Sequence, residues 1–373
     1  MEQNPVQEQL GQRRVLDYGS LDAWRGLACL AVVLFHCSVE MGLRMKVRPA
    51  NFAWAVYGQL GVQVFFVISG FCIAVAAHSS WHKRSWGKFA WARLTRIYPP
   101  LWVAIVLALA MKIIGAKINS QMVQNSAAGE GPLFYVSNFL LLNEYPPFAQ
   151  PYLLRVAWSL CYEVAFYGIM FLALIGTAKA KSANSMLNVL HALSLGVLVW
   201  LICVFDGAPW LPFPLDLWPQ FGVGILVFDL LLAKAQKEEK REKFLWAVGL
   251  AFATLGIVFL ARCWFSPRLN YRTLPFAVSF GFAAIMWFAY RFEGNVSRWN
   301  FVKLLHSIGT FSYSIYLVHF TLIMALSRAL FSRVKFLPWF VEVIVQVLFS
   351  VVSGWIFYRM VEKPSQKLKR VRK

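Results

Sequence analysis

The chain alternates long apolar segments with short polar ones. Ten apolar segments are each long enough to cross about 30 Å of hydrocarbon as a helix. They cover residues 22–39, 56–77, 98–116, 157–176, 186–205, 213–233, 244–264, 274–290, 307–327 and 337–358. The pattern predicts an all-α fold, a polytopic membrane bundle of about ten transmembrane helices.

Composition agrees with this pattern. Of the 373 residues, 59% are hydrophobic and only 14% are charged, which excludes an ordinary soluble domain. The first twenty residues are polar and lack the apolar core of a cleavable signal peptide. We therefore expect the first apolar segment to act as its own insertion signal.

The lysines and arginines are unevenly distributed between the two sides of the predicted bundle. The segments on the side of the termini carry 24 of them, and the opposite loops carry 12. This bias places both termini in the cytoplasm and explains the net charge of +20 through topology and anionic lipid, with no nucleic-acid partner. The predicted organisation is a cytoplasmic N-tail (1–20), a membrane domain (21–364) and a basic C-tail (365–373).

Two loops have distinctive compositions. Residues 234–243 are expected to form a mixed-charge helical linker with a solvated face. The longest loop, 117–156, is rich in turn residues, and its apolar middle, Leu133 to Leu142, is expected at the membrane surface. The cysteines have no metal-ligand spacing, so we expect free thiols and no metal.

A histidine and an arginine share one face of the first apolar segment. His36 follows Arg25 by eleven residues, which on a helix is within about 20° of the same direction and about 16 Å along the axis. Ionisable groups inside a bilayer are usually retained for chemistry or transport. A neutral His36 would accept a proton from a hydroxyl, and an interhelical hydrogen bond is the alternative. Asp22, one turn before Arg25, adds charge at the cytoplasmic end.

A pair of arginines lies at the cytoplasmic mouth of the third segment. Arg93 and Arg96 are three residues apart, so on a helix both guanidinium groups face one way. Paired guanidinium donors suit phosphate groups, such as the pyrophosphate of a coenzyme A thioester. Positive-inside anchoring explains the pair equally well.

The fourth segment opens with two polar residues on one helix face. Ser159 and Glu163 are four residues apart. A carboxylate inside the apolar region needs a partner, and Arg25, His36 and His319 are the candidates. A structural hydrogen bond between helices is the alternative.

The ninth segment carries a stripe of hydroxyl, aromatic and imidazole groups. Ser312, Tyr316 and His319 recur at helical spacing. Such a stripe would form a sugar-binding wall or a packed contact between helices. Together with Tyr313 of the same segment and Ser159 of the fourth, Tyr316 and His319 are the candidate substrate-binding residues.

Six short elements, in this order, resemble acyltransferase family 3, integral-membrane O-acyltransferases that acylate sugars of cell-surface and secreted glycans. They are a basic residue, ten positions and a histidine (Arg25, His36), a glycine-rich second segment (Gly61–Phe71), Arg-x-x-Arg (Arg93, Arg96), Trp-Ser-Leu-x-x-Glu-x-x-Phe-Tyr (Trp158–Tyr167), Ser-Tyr-x-x-Tyr-Leu-x-His (Ser312–His319) and Glu-x-Pro (Glu362–Pro364). Each element is weak alone, and the shared order argues against chance.

The sequence departs from the family pattern at two points. Gln63 stands where the second-segment pattern often has an acidic residue. Many members also carry a fused extracytoplasmic hydrolase-like domain, which this chain is too short to hold. We therefore expect transfer by the membrane part alone or with a separate partner.

The resemblance implies acetyl-CoA or another acyl-CoA as donor, entering the protein from the cytoplasm. The expected location is a bacterial cytoplasmic (inner) membrane. The acceptor would be a glycan or a lipid-linked saccharide. In this hypothesis Arg25, Arg93 and Arg96 bind the donor, and His36 removes a proton from the acceptor hydroxyl. Glu163 or Asp22 would orient the imidazole or balance the charge that it acquires. A transient acyl-histidine is the alternative route.

A secondary transporter or flippase for a lipid-linked sugar or an organic anion is the alternative. His36, Glu163 and His319 would then form a proton relay. A transporter would distribute its charges along a path open to both faces, whereas most candidate residues here are predicted near the cytoplasmic ends. The paired arginines also suit a phosphate better than a transport path.

Overall fold

The computed structural model describes residues 18–46, 49–118, 131–204, 213–296, 298–334 and 337–367. Across these ranges the regular structure is helical, with no strand. The main helices are α1 (Ser20–Met45), α2 (Gly61–His82), α3 (Trp86–Ile118), α4 (Pro132–Leu140), α5 (Trp158–Gly176), α6 (Asn184–Cys203), α7 (Trp218–Gln236), α8 (Glu239–Phe265), α9 (Asn270–Ala289), α10 (Asn300–Thr310), α11 (Ser312–Leu326) and α12 (Trp339–Phe357). Short helical turns extend several of them: Ala50–Leu60 precedes α2, Arg155–Ala157 precedes α5, Ser327–Phe331 follows α11 and Tyr358–Glu362 follows α12.

Ten helical segments of the described chain are long and apolar enough to cross a membrane. They are Ser20–Met45, Ala50–His82, Trp86–Ile114, Arg155–Gly176, Asn184–Cys203, Leu215–Gln236, Glu239–Phe265, Asn270–Phe292, Ser312–Phe331 and Trp339–Lys367. The predicted number of spans and the all-α membrane class are confirmed.

The third span begins earlier than the hydropathy pattern predicts. α3 begins at Trp86, twelve residues before the predicted start at 98, so Arg93 and Arg96 lie inside the helix. Arginine and lysine lower the local hydropathy but are good helix formers, which is why the helix and the apolar segment have different starts. Pro99 and Pro100 are accommodated within α3.

The mixed-charge linker predicted over 234–243 is helical except at Lys237 and Glu238. α7 ends at Gln236 and α8 begins at Glu239, because Lys237 has φ 58°, a left-handed conformation that terminates a helix. The expectation of a solvated face fails at Arg241. Its side chain is only 10% exposed and pairs with Asp229 of α7.

The chain divides into two compact units. The first contains the chain up to Arg25 with Val62–Ala90 and Ala165–His306. The second contains Gly26–Gly61, Trp91–Val164 and the chain from Ser307. α1, α2, α3, α5 and α10 each contribute residues to both units.

The first unit is built around α7. Most residues of α7 from Trp218 to Ala233 are buried, including Asp229. A Cβ atom added at Gly224 would lie 2.1 Å from the carbonyl oxygen of Val67, so glycine is required for α2 and α7 to approach this closely. Close backbone contact at small residues is a common basis of helix packing in membranes.

The second unit is held by α1, α11 and α12 with the turn before α2. A Cβ atom at Gly58 would lie 2.1 Å from the carbonyl oxygen of Ala31, which again requires glycine at a helix contact. The closing Glu-x-Pro element also has a contact here. Ser314 of α11 donates a 2.6 Å hydrogen bond to Glu362, which ties the end of the chain to α11.

The segment between α4 and α5 is folded on itself within the second unit. Asn138 of α4 donates to the carbonyl of Pro151 and accepts from the amide of Leu153. Tyr152 donates to Glu144, and burial raises the pKa of the Tyr152 hydroxyl above its ordinary value, so the hydroxyl remains protonated. These bonds fix the backbone that leads into Ser159.

Candidate active site

Two histidines from distant parts of the sequence meet in the second unit. Nε2 of His319 on α11 lies 3.1 Å from Nδ1 of His36 on α1, and the ring centroids are 4.8 Å apart. His319 is fully buried, whereas His36 is half-buried. The two rings contact each other but differ in how much of each is exposed.

The hydrogen-bond partners assign the proton on each ring. Nδ1 of His319 lies 3.0 Å from the carbonyl oxygen of Ile315 and 2.9 Å from that of Tyr316, and carbonyls only accept, so Nδ1 carries the proton. Nε2 of neutral His319 is then an acceptor for Nδ1–H of His36, which also reaches the carbonyl of Val32 at 2.9 Å. In this arrangement Nε2 is the unprotonated nitrogen of His36, and its lone pair can accept a proton.

Nε2 of His36 forms no hydrogen bond with any part of the chain that the structure describes. Aromatic rings of Phe35 and Phe320 flank the imidazole, with centroids 4.9 and 4.8 Å away. Arg155, in the turn before α5, lies within electrostatic range of the ring. His36 thus has a fixed orientation, a neutral partner and an available basic nitrogen.

The candidate substrate-binding residues Ser159 and Tyr316 contact each other beside this pair. Their hydroxyl oxygens are 2.6 Å apart, and Tyr316 also donates to the carbonyl of Val156 at 2.8 Å. Glu163, one turn beyond Ser159, lies within electrostatic range of the Tyr316 hydroxyl. The fourth and ninth spans therefore contact each other through residues of their polar stripes.

Tyr313 of α11 contacts the turn of α3 that carries the paired arginines. The Tyr313 hydroxyl donates to the carbonyl of Ile97 at 2.9 Å, and Arg96 is the adjacent residue of α3. Tyr313 and His319 are six residues apart, an axial rise of about 9 Å. The turn with Arg96 therefore lies about one and a half helical turns along α11 from the histidine pair, and Arg93 is one turn further along α3.

In the first unit Asp22 and Arg25 form an ion pair. Nη1 of Arg25 lies 2.7 Å from the Asp22 carboxylate, and Nη2 lies 3.1 Å from the sulfur of Cys72. His306 is 3.8 Å from the other carboxylate oxygen. On continuous α1, fourteen residues separate Asp22 from His36, about 21 Å, which is too far for Asp22 to orient the imidazole as the sequence analysis expects.

Residues 18–359 match the family profile described as "Acyltransferase domain", which is most of the chain. The chain belongs to acyltransferase family 3. The resemblance drawn from six short elements is thereby confirmed, and those elements lie on the helices described above.

Three curated relatives illustrate the range of similar acyltransferases. The peptidoglycan O-acetyltransferase OatA of Listeria monocytogenes is 26% identical over 93% of this chain and 56% of the relative. The putative peptidoglycan O-acetyltransferase YrhL of Bacillus subtilis is 24% identical over 92% of this chain and 54% of the relative. The putative membrane-bound transacylase BcsY of Komagataeibacter xylinus is 26% identical over 84% and 75%. The chain thus spans little more than half the length of the first two relatives, and no solved structure shows a significant match.

The sequence patterns did not indicate several polar contacts of this family member. They did not single out Glu40 and Arg44, although an acidic residue one turn after His36 inside an apolar segment is a recognisable signal. They also did not indicate Asp229 of the sixth segment and its contact with His191 at 2.9 Å. Among the described residues, no group of three or more His, Cys, Asp or Glu side chains converges as a metal site would require.

Proposed function

We propose that this family member is a membrane O-acyltransferase that transfers an acyl group, acetyl in the first instance, from a coenzyme A thioester to a hydroxyl of a surface or secreted glycan. The observation that carries the proposal is the arrangement of His36, whose Nδ1–H is held by neutral His319 and whose Nε2 lone pair is available. General base catalysis at neutral pH requires a neutral imidazole of this kind.

In the proposed reaction the acceptor oxygen attacks the thioester carbonyl while its proton moves to Nε2 of His36. The new C–O bond forms, the C–S bond breaks, and the protonated imidazole returns the proton to the departing thiolate. The positive charge that develops on His36 is shared with Nε2 of His319, the acceptor for Nδ1–H. We therefore reassign His319 from substrate binding to positioning of His36.

In the proposal, the basic residues on the predicted cytoplasmic side bind the donor. Arg93 and Arg96 would bind the phosphates of coenzyme A, while the thioester arm extends towards His36. Arg25 would add positive charge, with Asp22 holding its guanidinium group in place. This orientation rests on the twofold excess of Lys and Arg on the side of the termini, which places 1–20 and 365–373 in the cytoplasm and 21–364 in the membrane.

The remaining candidates have supporting roles in the proposal. Glu163 would balance the charge that forms on His36, and it is near enough to Tyr316 to act on this region electrostatically. Ser159 and Tyr316, which contact each other, would form the wall of the site that faces the acceptor. Tyr313 would hold α3, and so Arg96, against α11.

The acceptor class follows from the names of the relatives and from the family. Two of the relatives are named as peptidoglycan O-acetyltransferases, so a glycan or a lipid-linked saccharide is the proposed acceptor. Because these relatives are bacterial proteins, the proposed location is a bacterial cytoplasmic (inner) membrane. Transfer to an extracytoplasmic glycan would involve further domains or partners where the relatives extend beyond this chain.

A reconstituted transfer assay tests the function. Full-length protein in lipid vesicles is supplied with radiolabelled acetyl-CoA and with surface glycan from the source cells, de-acylated by alkali. Label should appear in the glycan as an alkali-labile ester with wild type and not with His36→Ala. The exposed His82→Ala serves as a matched control. Absence of ester with wild type would contradict the acyl-CoA function, and equal labelling by His36→Ala would remove His36 from the mechanism.

A further inference from the structure

A second buried polar group lies in the second unit beyond the histidine pair. We call it the Glu40 cluster: Glu40 and Arg44 of α1, Ser327 after α11, and Glu342 and Gln346 of α12. The cluster is outside the family elements from which the catalytic residues were drawn. It lies where the end of α1 meets the end of α11 and the beginning of α12.

Glu40 is the centre of this cluster and is only 2% exposed. Its carboxylate accepts hydrogen bonds from Nε of Arg44 at 3.1 Å, from Nε2 of Gln346 at 3.0 Å and from the hydroxyl of Ser327. Arg44 also donates to Glu342, whose exposure is 4%. The guanidinium group of Arg44 therefore forms ion pairs with two carboxylates, Glu40 and Glu342.

The cluster retains capacity for a ligand. With both carboxylates ionised, Glu40, Glu342 and Arg44 carry a surplus negative charge in a buried position, which is costly without further donors. Gln346 is fully buried, and its Oε1 has no hydrogen-bond partner within the described ranges. Both features are satisfied by a ligand that brings O–H donors, since carboxylate and amide oxygens accept them.

The Glu40 cluster is aligned with the histidine pair on two helices. Glu40 and Arg44 follow His36 by four and eight residues, and Ser327 follows His319 by eight, so they recur on the same helix faces. The axial separation from His36 is about 6 Å for Glu40 and about 12 Å for Arg44. The cluster therefore begins about one helical turn beyond His36 on α1.

The surroundings of the cluster also suit a saccharide. The guanidinium carbon of Arg44 lies 5.9 Å from the ring centroid of Phe331, and the rings of Phe52 and Trp339 are 5.1 Å apart near the start of α12. Ligand sites typically combine aromatic walls with a few placed polar groups. About a fifth of the Arg44 side chain is exposed, which gives the cluster contact with the surface.

We propose that the Glu40 cluster binds the hydroxyl-bearing saccharide acceptor and presents one hydroxyl to His36. The inference rests on the proposed function, and it adds the acceptor subsite to it. In the chain, Arg25 precedes His36 and the Glu40 cluster begins four residues after it.

Acceptor and donor titrations test the subsite in the same vesicle assay. Gln346→Met keeps the volume of the side chain but removes the unpartnered oxygen together with the hydrogen bond to Glu40, and Glu342→Gln removes one charge while keeping the shape. Each variant should raise the KM for the de-acylated glycan about tenfold, the effect of one lost hydrogen bond to a charged or buried group, and leave the KM for acetyl-CoA unchanged. Ser350→Ala is the control, since Ser350 is buried one turn further along α12 and bonds only to its own helix.

The outcomes separate the subsite from the function. If wild type transfers acetyl to the glycan and the two variants have wild-type KM values for the glycan, the cluster is not the acceptor subsite and the function stands. If both variants change the KM for acetyl-CoA instead, the cluster acts on the donor and the inference is overturned. If wild type transfers nothing, the function fails and the subsite fails with it.

Discussion

Two histidines, one in each unit, have opposite environments. His191 of α6 lies 2.9 Å from the carboxylate of Asp229, which is also bound by Arg241, and histidine and aspartate are 2% and 1% exposed. His36 contacts only neutral groups at Nδ1 and is half-buried. The first is enclosed by an ion pair, whereas the second retains an accessible nitrogen.

The comparison shows why burial alone does not identify a catalytic histidine. A buried carboxylate with a guanidinium partner stabilises a fixed network, and its removal leaves an uncompensated charge. The neutral imidazole of His319 fixes the orientation of the His36 ring but carries no charge itself. His36 can therefore still take up a proton. The site of His36 is therefore suited to chemistry, and the site of His191 to stability.

The largest predicted effect is a loss of kcat that distinguishes His36 from His191. His36→Gln should lower kcat for glycan acetylation by about 10²–10⁴-fold, the usual contribution of a general base. His191→Gln should retain wild-type kcat per folded molecule. The check is the initial rate in vesicles, normalised to correctly folded protein by size-exclusion chromatography. Equal losses in the two variants would contradict the distinction.

Breaking the ion pair of the first unit should affect stability instead of chemistry. Asp229→Asn leaves Arg241 without its charge partner inside the unit, which we expect to cost about 3–5 kcal/mol of folding free energy. Thermal unfolding in detergent should show a clear decrease in melting temperature. Specific activity below that temperature should be unchanged, and a loss of kcat at wild-type stability would count against the account.

The role of His319 is tested by two substitutions of similar size. His319→Leu removes the acceptor for Nδ1–H of His36 and should lower kcat about 10–100-fold, while the KM values for donor and acceptor change little. His319→Gln places an amide oxygen near the former Nε2 and should restore part of the rate. If the two variants are equally inactive, or if only the KM values change, His319 does not act through the orientation of His36.

The smallest effect concerns donor binding. Arg96→Ala should raise the KM for acetyl-CoA about tenfold, because one charge-assisted contact with phosphate is lost. Arg84→Ala, an exposed basic residue in the same predicted cytoplasmic loop, should leave that KM unchanged. Similar effects of the two substitutions would favour a general role in membrane anchoring.

The sequence predicts individual residues better than their partners. Hydropathy identifies ten spans because each is a continuous apolar segment, and motif order identifies the family. His36 and His319 were both recognisable, but their contact joins helices 283 positions apart, and no local pattern specifies it. The sequence assigns Arg241 to a solvated linker, because a run of charged residues looks the same whether it faces water or a buried aspartate. In the structure Arg241 follows the turn at Lys237 and pairs with Asp229.

The proton position on His36 is the central claim, and ¹⁵N NMR of the histidine-labelled protein in lipid measures it most directly. Signals absent from a His36→Gln sample identify this ring. At neutral pH we expect a protonated Nδ1 and an unprotonated Nε2. A ring with its proton on Nε2, or with both nitrogens protonated, would contradict it.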